Sequence, residues 1–250
     1  MNPDPVHQKS TQPAAKIGTL WGIGLGPGDP QLLTLKAVKA IGLVDVIAYS
    51  APDAADAPPS LARTIAAEWL TRGVPEYALR LPMVEPRHPA AAIYDRAAED
   101  LAQYLQQGQS VGFLCQGDPL FYGSFIYVMN RLVERFPLEI IPGVSSLTAA
   151  AAAARFPLTG RTDRLSVVPA TLGDDQIAQS LARDDAVVLI KLGKNLARIK
   201  ALLERQGLMD RAIYVERATM SEQRIMPLVQ VAGDRAPYFA LILVRRMAVE

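Results

Sequence analysis

Sulfur and imidazole chemistry has almost nothing to work with in this chain: one cysteine, Cys115, and two histidines, His7 and His88, are spread over 250 residues. A disulfide framework needs a second thiol, and a Cys/His zinc site needs several ligands at close spacing, so both are excluded. Charge of one sign is also missing. The 26 Lys and Arg residues balance 25 Asp and Glu, which gives no overall field to hold nucleic acid or an anionic membrane, although a basic patch inside a cleft stays open. Long hydrophobic runs are absent too: Ala149 to Ala154 and Val187 to Ile190 fall far short of the roughly 20 apolar residues that cross a bilayer. The first stretch, residues 1–16, is polar, carries Pro3, Pro5 and Pro13, and has no secretory core. It reads as a disordered tail on a soluble protein, and the single thiol suits a reducing cytoplasm.

Parts for covalent catalysis are equally scarce. Gly143-Val144-Ser145-Ser146-Leu147 is not a G-x-S-x-G elbow, His88 reads as part of a proline-flanked loop, and Cys115 inside an apolar run reads as an inert core thiol. This favours chemistry carried by a reactive cosubstrate.

Half of the residues are hydrophobic, and their spacing gives an α/β chain. Leu20 to Leu25 reads as a strand, followed by Gly26-Pro27-Gly28-Asp29-Pro30 and a helix through Leu32, Leu33, Leu35, Val38 and Ile41. Val44 to Tyr49 is a second strand, Ser50 to Ser60 a loop, and Leu61, Ile65, Trp69 and Leu70 a helical pattern. Val111 to Cys115 leads into Gln116-Gly117-Asp118-Pro119 and a helix through Phe125, Val128 and Leu132; Leu138 to Ile141 leads into Pro142-Gly143-Val144-Ser145-Ser146 and an alanine-rich helix. Alternating strands and helices predict a mostly parallel sheet covered on both faces, with ligands bound beyond the carboxyl ends of its strands. All three glycine-rich turns then fall on one edge, which gathers Pro27, Asp118 and Ser145 around one crevice.

After about Pro157 strands dominate: Leu165 to Val168, Val187 to Leu192, Ile213 to Glu216, Ile225 to Val231 and Tyr238 to Val244. The last two, with no helix-length connection, are expected to pair antiparallel in a mixed sheet. The domain reading is residues 17–157 and residues 158–250, after the tail.

The first turn fails as a dinucleotide fingerprint: from Gly22 the sixth position of G-x-G-x-x-G is Pro27, and from Gly24 it is Asp29. Its plain structural reading is a tight turn with Asp29 as helix N-cap and Pro30 at the first helical position. A second Gly-Asp-Pro on the same edge points instead to close backbone approach to a ligand, with Asp118 open to hydroxyl or ammonium donors. Ser145 and Ser146 are alternatives for capping their helix or donating into the crevice. Arg80, Arg87, Arg161, Arg164, Lys191, Lys194 and Arg217 lie near strand ends or in loops, where they suit carboxylates as well as a solvated surface.

In order and spacing, Gly24 to Pro30, Gly117-Asp118-Pro119 and Pro142 to Ser146 resemble the signature segments of the tetrapyrrole methylases, over about Ile17 to Arg245. Phe113 to Phe125 and Tyr238 to Val244, with Arg161 to Thr171 and Glu216 to Thr219, resemble the branch that methylates precorrin-2 at carbon 20. The resemblance implies that family's two-domain α/β fold, S-adenosylmethionine folded in the interdomain cleft, no metal, a tetrapyrrole substrate and a homodimer. By motif position, cosubstrate contacts fall on Pro27, Gln116, Gly117, Asp118, Phe121, Ser145, Ser146, Leu192 and Ala218; Tyr49, Arg161, Lys191 and Arg217 are expected to meet the substrate. Members that methylate uroporphyrinogen commonly carry an acidic residue after the second strand, where Tyr49 is followed here by Ser50, and no general base is carried over. The implied reaction converts precorrin-2 to precorrin-3A in cobalamin biosynthesis. The alternatives are the cobalt-containing factor II or another corrin carbon and, from other classes, a non-catalytic binding module or a nicotinamide-dependent reductase.

Overall fold

Val111 to Cys115 is buried at every position, which a strand sustains only when both faces of its sheet are covered. The computed structural model, which describes residues 16–54, 59–82 and 88–246, shows how. Strands β1 (Leu20–Gly24), β2 (Val46–Pro52), β3 (Glu76–Leu81), β4 (Val111–Cys115) and β5 (Leu138–Ile141) form one sheet in the order β3-β2-β4-β1-β5, with every pair parallel. Parallel neighbours require crossovers. Helices α1 (Leu35–Ile41) and α2 (Leu61–Ala66) pack with Ile23, Ile47 and Leu114 on one face, and α3 (His88–Gln106) and α4 (Phe125–Leu132) pack with Leu20, Val46 and Phe113 on the other.

Two of these elements were not expected. β3 lies at the sheet edge with Glu76 and Arg80 exposed, so its apolar alternation is too weak to read. α3 opens at His88, not in a loop; Pro89 is no obstacle, because the first turn of a helix does not use its amides internally. The helix expected after β1 is divided. Asp29 caps a single 3-10 turn, Pro30–Leu32, by accepting from the Gln31 amide at 2.8 Å, and Thr34 caps α1 by accepting from the Ala37 amide at 3.1 Å.

The second sheet is mixed, as expected, and is built from β6 (Leu165–Pro169), β7 (Ala186–Ile190), β8 (Ala212–Glu216), β9 (Arg224–Pro227) and β10 (Ala240–Arg245), in the order β6-β7-β10-β8-β9. The pairing of its last two strands corrects the sequence reading: β9 lies at the edge beside β8, while β10 runs antiparallel between β7 and β8. The strand expected to reach Val231 stops at Pro227, which has no amide to donate, and a 3-10 turn, Leu228–Gln230, buries Leu228 in the core.

Helices α6 (Asp174–Arg183) and α7 (Leu196–Arg205) cover one face of this sheet. The other face receives α5 (Ser146–Ala153), which follows β5 yet packs Ala150 and Ala151 against Val188, Val215, Leu241 and Leu243. Small side chains let that helix lie close to the strands. Among the described residues no helix is long and apolar enough to cross a membrane.

Candidate active site

The three glycine-rich turns follow β1, β4 and β5, which are neighbours in the first sheet, and they are joined by their backbones. Gly26 and Gly117 exchange amide hydrogen bonds of 3.2 and 2.7 Å, and the Gln116 side-chain amide donates to the Pro27 carbonyl at 3.1 Å. A Cβ on Gly143 would lie 2.1 Å from the Gly117 carbonyl oxygen, so glycine there is demanded by turn packing on turn. Gly117 differs. It holds φ at +73° and a Cβ on it would meet nothing within 4 Å, so its open side is where a ligand can approach main chain.

Asp118 ties two of the turns together: Oδ1 accepts from the Leu120 amide at 2.9 Å and Oδ2 from the Gly143 amide at 3.0 Å. Ser145 caps α5, accepting from the Thr148 amide at 3.4 Å, and leaves Ser146 exposed at the first helical position. Phe121 stands edge-on to Tyr122 with ring centroids 5.0 Å apart.

The carboxyl ends of β6, β7 and β8 share one edge of the second sheet, and that edge meets the turns. The Asp29 amide donates to Thr219 Oγ1 at 3.1 Å, and Lys191 Nζ lies 5.0 Å from the centroid of the Tyr122 ring. Between these two ties lie Leu192, 1% exposed, and Ala218, 8% exposed. Their side chains belong to the cores on opposite faces of the second sheet. Tyr122, Lys191, Arg217 and Thr219 all hold positive φ, at 56°, 58°, 49° and 68°. Tyr122 and Thr219 had been given no role, because backbone conformation leaves no mark in residue type at a tyrosine or threonine.

Other expected contacts fall elsewhere. Tyr49 is buried in the α1/α2 core and donates to Glu76 Oε2 at 2.8 Å, at the start of β3 and away from the turns. Burial, with the Glu76 carboxylate, raises its phenol above the ordinary range. Arg161 is exposed in the loop before β6, at the opposite edge of the second sheet, where Arg245 holds that loop through the Leu158 carbonyl and Asp163. Arg164 is tied there too, its amide donating to Asp185 at 2.9 Å. Arg80 is exposed on edge strand β3, Lys194 is exposed in the 3-10 turn after Leu192, and Arg87 and His7 lie outside the described residues. Cys115 is buried, and burial pushes its thiol well up.

Ser50 stands at the carboxyl end of β2, and its Oγ is buried with no hydrogen-bond partner among the described residues.

Residues 19–231 match the family described as Tetrapyrrole (Corrin/Porphyrin) Methylases. The chain is 43% identical over 235 residues to the cobalamin biosynthesis protein CobIJ of Mycobacterium tuberculosis, covering 90% of this chain and 46% of that protein. It thus spans about half the length of that relative. It is 39% identical to the precorrin-2 C(20)-methyltransferase of a Sinorhizobium species, covering 91% of this chain and 95% of that one, and 34% identical to the cobalt-precorrin-2 C(20)-methyltransferase of Salmonella typhimurium, covering 92% and 97%. Among solved structures, the cobalt precorrin-4 methyltransferase CbiF superposes with a TM-score of 0.68 at 23% identity, covering 91% of this chain and 94% of that one. The uroporphyrin-III C-methyltransferase of Thermus thermophilus, complexed with S-adenosylhomocysteine, gives 0.65 at 23%, covering 92% and 98%.

Proposed function

Because the chain belongs to the tetrapyrrole (corrin/porphyrin) methylases, we propose that it transfers a methyl group from S-adenosylmethionine to carbon 20 of precorrin-2, giving precorrin-3A in cobalamin biosynthesis. The observation that carries this reading is the full-length similarity to the Sinorhizobium precorrin-2 C(20)-methyltransferase, together with a cleft built where two sheets meet at their carboxyl edges.

Where the two sheets meet, the cleft offers open space beside Gly117, and Leu192 and Ala218 lie at the facing strand ends of the second sheet. Pro27, Gln116, Gly117, Phe121, Ser145, Ser146, Leu192 and Ala218 would hold the cosubstrate, while Asp118 fixes the turns that do so. When bound, S-adenosylmethionine supplies a methyl group made electrophilic by its sulfonium. The accepting meso carbon of a reduced tetrapyrrole is already enamine-like, so the protein's work is to align that carbon with the methyl group and keep water out. No protein nucleophile is required. The buried Cys115 agrees with chemistry of that kind.

The cytoplasm as compartment and a homodimer as assembly belong to the same proposal, resting on the single buried thiol and on the family resemblance; sedimentation equilibrium tests the dimer.

The Salmonella relative acts by name on the cobalt complex, which keeps that substrate as the second reading. An anaerobic assay with methyl-labelled S-adenosylmethionine, offered metal-free and cobalt precorrin-2 side by side, decides between them. Label at carbon 20 of the metal-free ring supports the proposal, preference for the cobalt complex moves the enzyme to that substrate, and transfer to neither rejects both.

A further inference from the structure

The two walls of the cleft touch where the turn after β1 meets the loop after β8. The Asp29 amide donates to Thr219 Oγ1 at 3.1 Å, a partly buried bond between residues 190 apart in the chain. The contact continues beside it: a Cβ built on Gly28 would lie 2.5 Å from Met220 Cγ and 3.4 Å from Thr219 Oγ1. Both arms of this contact are stiff. In the loop, the Met220 amide donates to the Arg217 carbonyl at 3.0 Å, the Gln223 amide to the Met220 carbonyl at 3.1 Å, and the Thr219 amide to Gln223 Oε1 at 2.7 Å. Arg217 and Thr219 hold φ at 49° and 68°, a conformation that a residue with a Cβ keeps only where its surroundings impose it. The Arg217 amide also donates to the Phe239 carbonyl at 2.7 Å, which anchors the loop to the chain entering β10. In the turn, the Gln116 side chain holds the Pro27 carbonyl and the Asp29 carboxylate holds the Gln31 amide.

We infer that Thr219 is a positioning residue whose hydroxyl clasps the two walls and sets the gap in which S-adenosylmethionine is held. This rests on the cosubstrate reading of the preceding section and adds a residue to which that reading gives no role. Pro27 and Ala218, which would hold the cosubstrate from opposite walls, lie two residues before Asp29 and one residue before Thr219. Two residues of chain span at most roughly 7 Å, so the clasp limits how far those two contacts can part. Without the hydroxyl the Asp29 amide is left to water and the gap is free to widen. A gap already held at its working width costs less ordering on binding, and affinity falls with the fraction of molecules that stray from that width.

The test titrates S-adenosylhomocysteine by calorimetry into the wild type, Thr219→Val, Thr219→Ser, Gly28→Ala and the Gly28→Ala/Met220→Ala double variant, with urea unfolding of each protein alongside. Thr219→Val keeps the shape of the side chain and removes the acceptor. It is expected to raise the Kd by about two- to tenfold, the range that one net hydrogen bond is worth. Thr219→Ser keeps the hydroxyl and should bind as the wild type does. Gly28→Ala perturbs the gap from the other wall. Gly28 is not in the left-handed region, so its new Cβ acts through Met220 and should raise the Kd several-fold. Shortening Met220 beside it removes the obstacle and should recover most of the affinity, the coupling expected of two groups in contact.

A bond that merely supports the fold would register in urea and leave the Kd alone. Wild-type affinity in Thr219→Val therefore overturns the clasp while the cosubstrate reading stands. A Kd in Thr219→Ser as high as in Thr219→Val also overturns it, because the hydroxyl is then not what holds the gap. So does a Gly28→Ala loss that persists in the double variant, since the added Cβ would then be meeting the ligand itself. No binding of S-adenosylhomocysteine by the wild type rejects the cosubstrate reading, and the clasp with it.

Discussion

Each oxygen of the Asp118 carboxylate accepts from a backbone amide, one in its own turn at Leu120 and one at Gly143 after β5. Asp118→Ala removes both hydrogen bonds, one part-buried and one exposed, and is expected to cost about 0.5–1.5 kcal/mol in urea unfolding, the usual net worth of such a bond. S-adenosylhomocysteine should bind it less tightly by calorimetry. Asp118→Asn keeps one carbonyl oxygen and should fall between. Gly143→Ala is a harsher change, because its Cβ meets the Gly117 carbonyl oxygen at 2.1 Å. Forcing the turns apart should lower stability by about 1–3 kcal/mol or more, with cosubstrate affinity falling alongside in the same calorimetric titration. Cys115 makes the opposite kind of prediction. Buried, and with its thiol pushed up by burial, it should resist a thiol-reactive disulfide reagent at pH 8 in the native protein and react only on unfolding.

Apolar runs that end in glycine-rich turns were legible from residue type alone. β1, β4 and β5 appear in the chain as apolar runs ending in glycine turns, and the parallel sheet follows from their alternation with helices. β3 was not, since its Glu76 and Arg80 face solvent at the sheet edge; Glu76 there serves Arg63 and Tyr49. The place of β10 was hidden for another reason: which strand inserts between two others is a matter of long-range pairing that local spacing does not encode.

Local electrostatics at α6 gives a pH prediction. The Arg183 guanidinium holds the Asp184 carboxyl below its ordinary range, with the Ser166 hydroxyl assisting and burial opposing. A depressed folded-state pKa contributes stability that is present above the unfolded value, near 3.9, and is lost as pH falls through the folded one. Acid unfolding followed by circular dichroism should therefore show a shallower loss of stability below about pH 4 in Asp184→Asn than in the wild type.

At the scale of the molecule, the cleft belongs to neither sheet alone. The crevice beyond the first sheet was legible from three turns on one edge, and the opposing wall was foreseen only at Leu192, Ala218, Lys191 and Arg217, through the family resemblance. Tyr49 and Arg161 lie away from the turns, and position along a strand or loop does not tell which edge a side chain serves. A ligand that bridges both walls should stabilise the chain as a unit: S-adenosylhomocysteine at about 100 times its Kd is expected to add about 2.7 kcal/mol. Scanning calorimetry should show the whole unfolding transition moving up together; a transition that splits, with only one part shifted, would place the ligand on one sheet.

The position of β10 also sets an order of assembly. During synthesis the first sheet has all five strands once Ile141 has emerged, so it can close while the rest of the chain is still being made. The second sheet has no such freedom. β6 with β7 and β8 with β9 remain two separate ribbons, each exposing an unpaired inner edge, until the strand that joins them leaves the ribosome. The wall bearing Lys191 and Arg217 is therefore the last part of the cleft to take shape, against a first wall that is already in place.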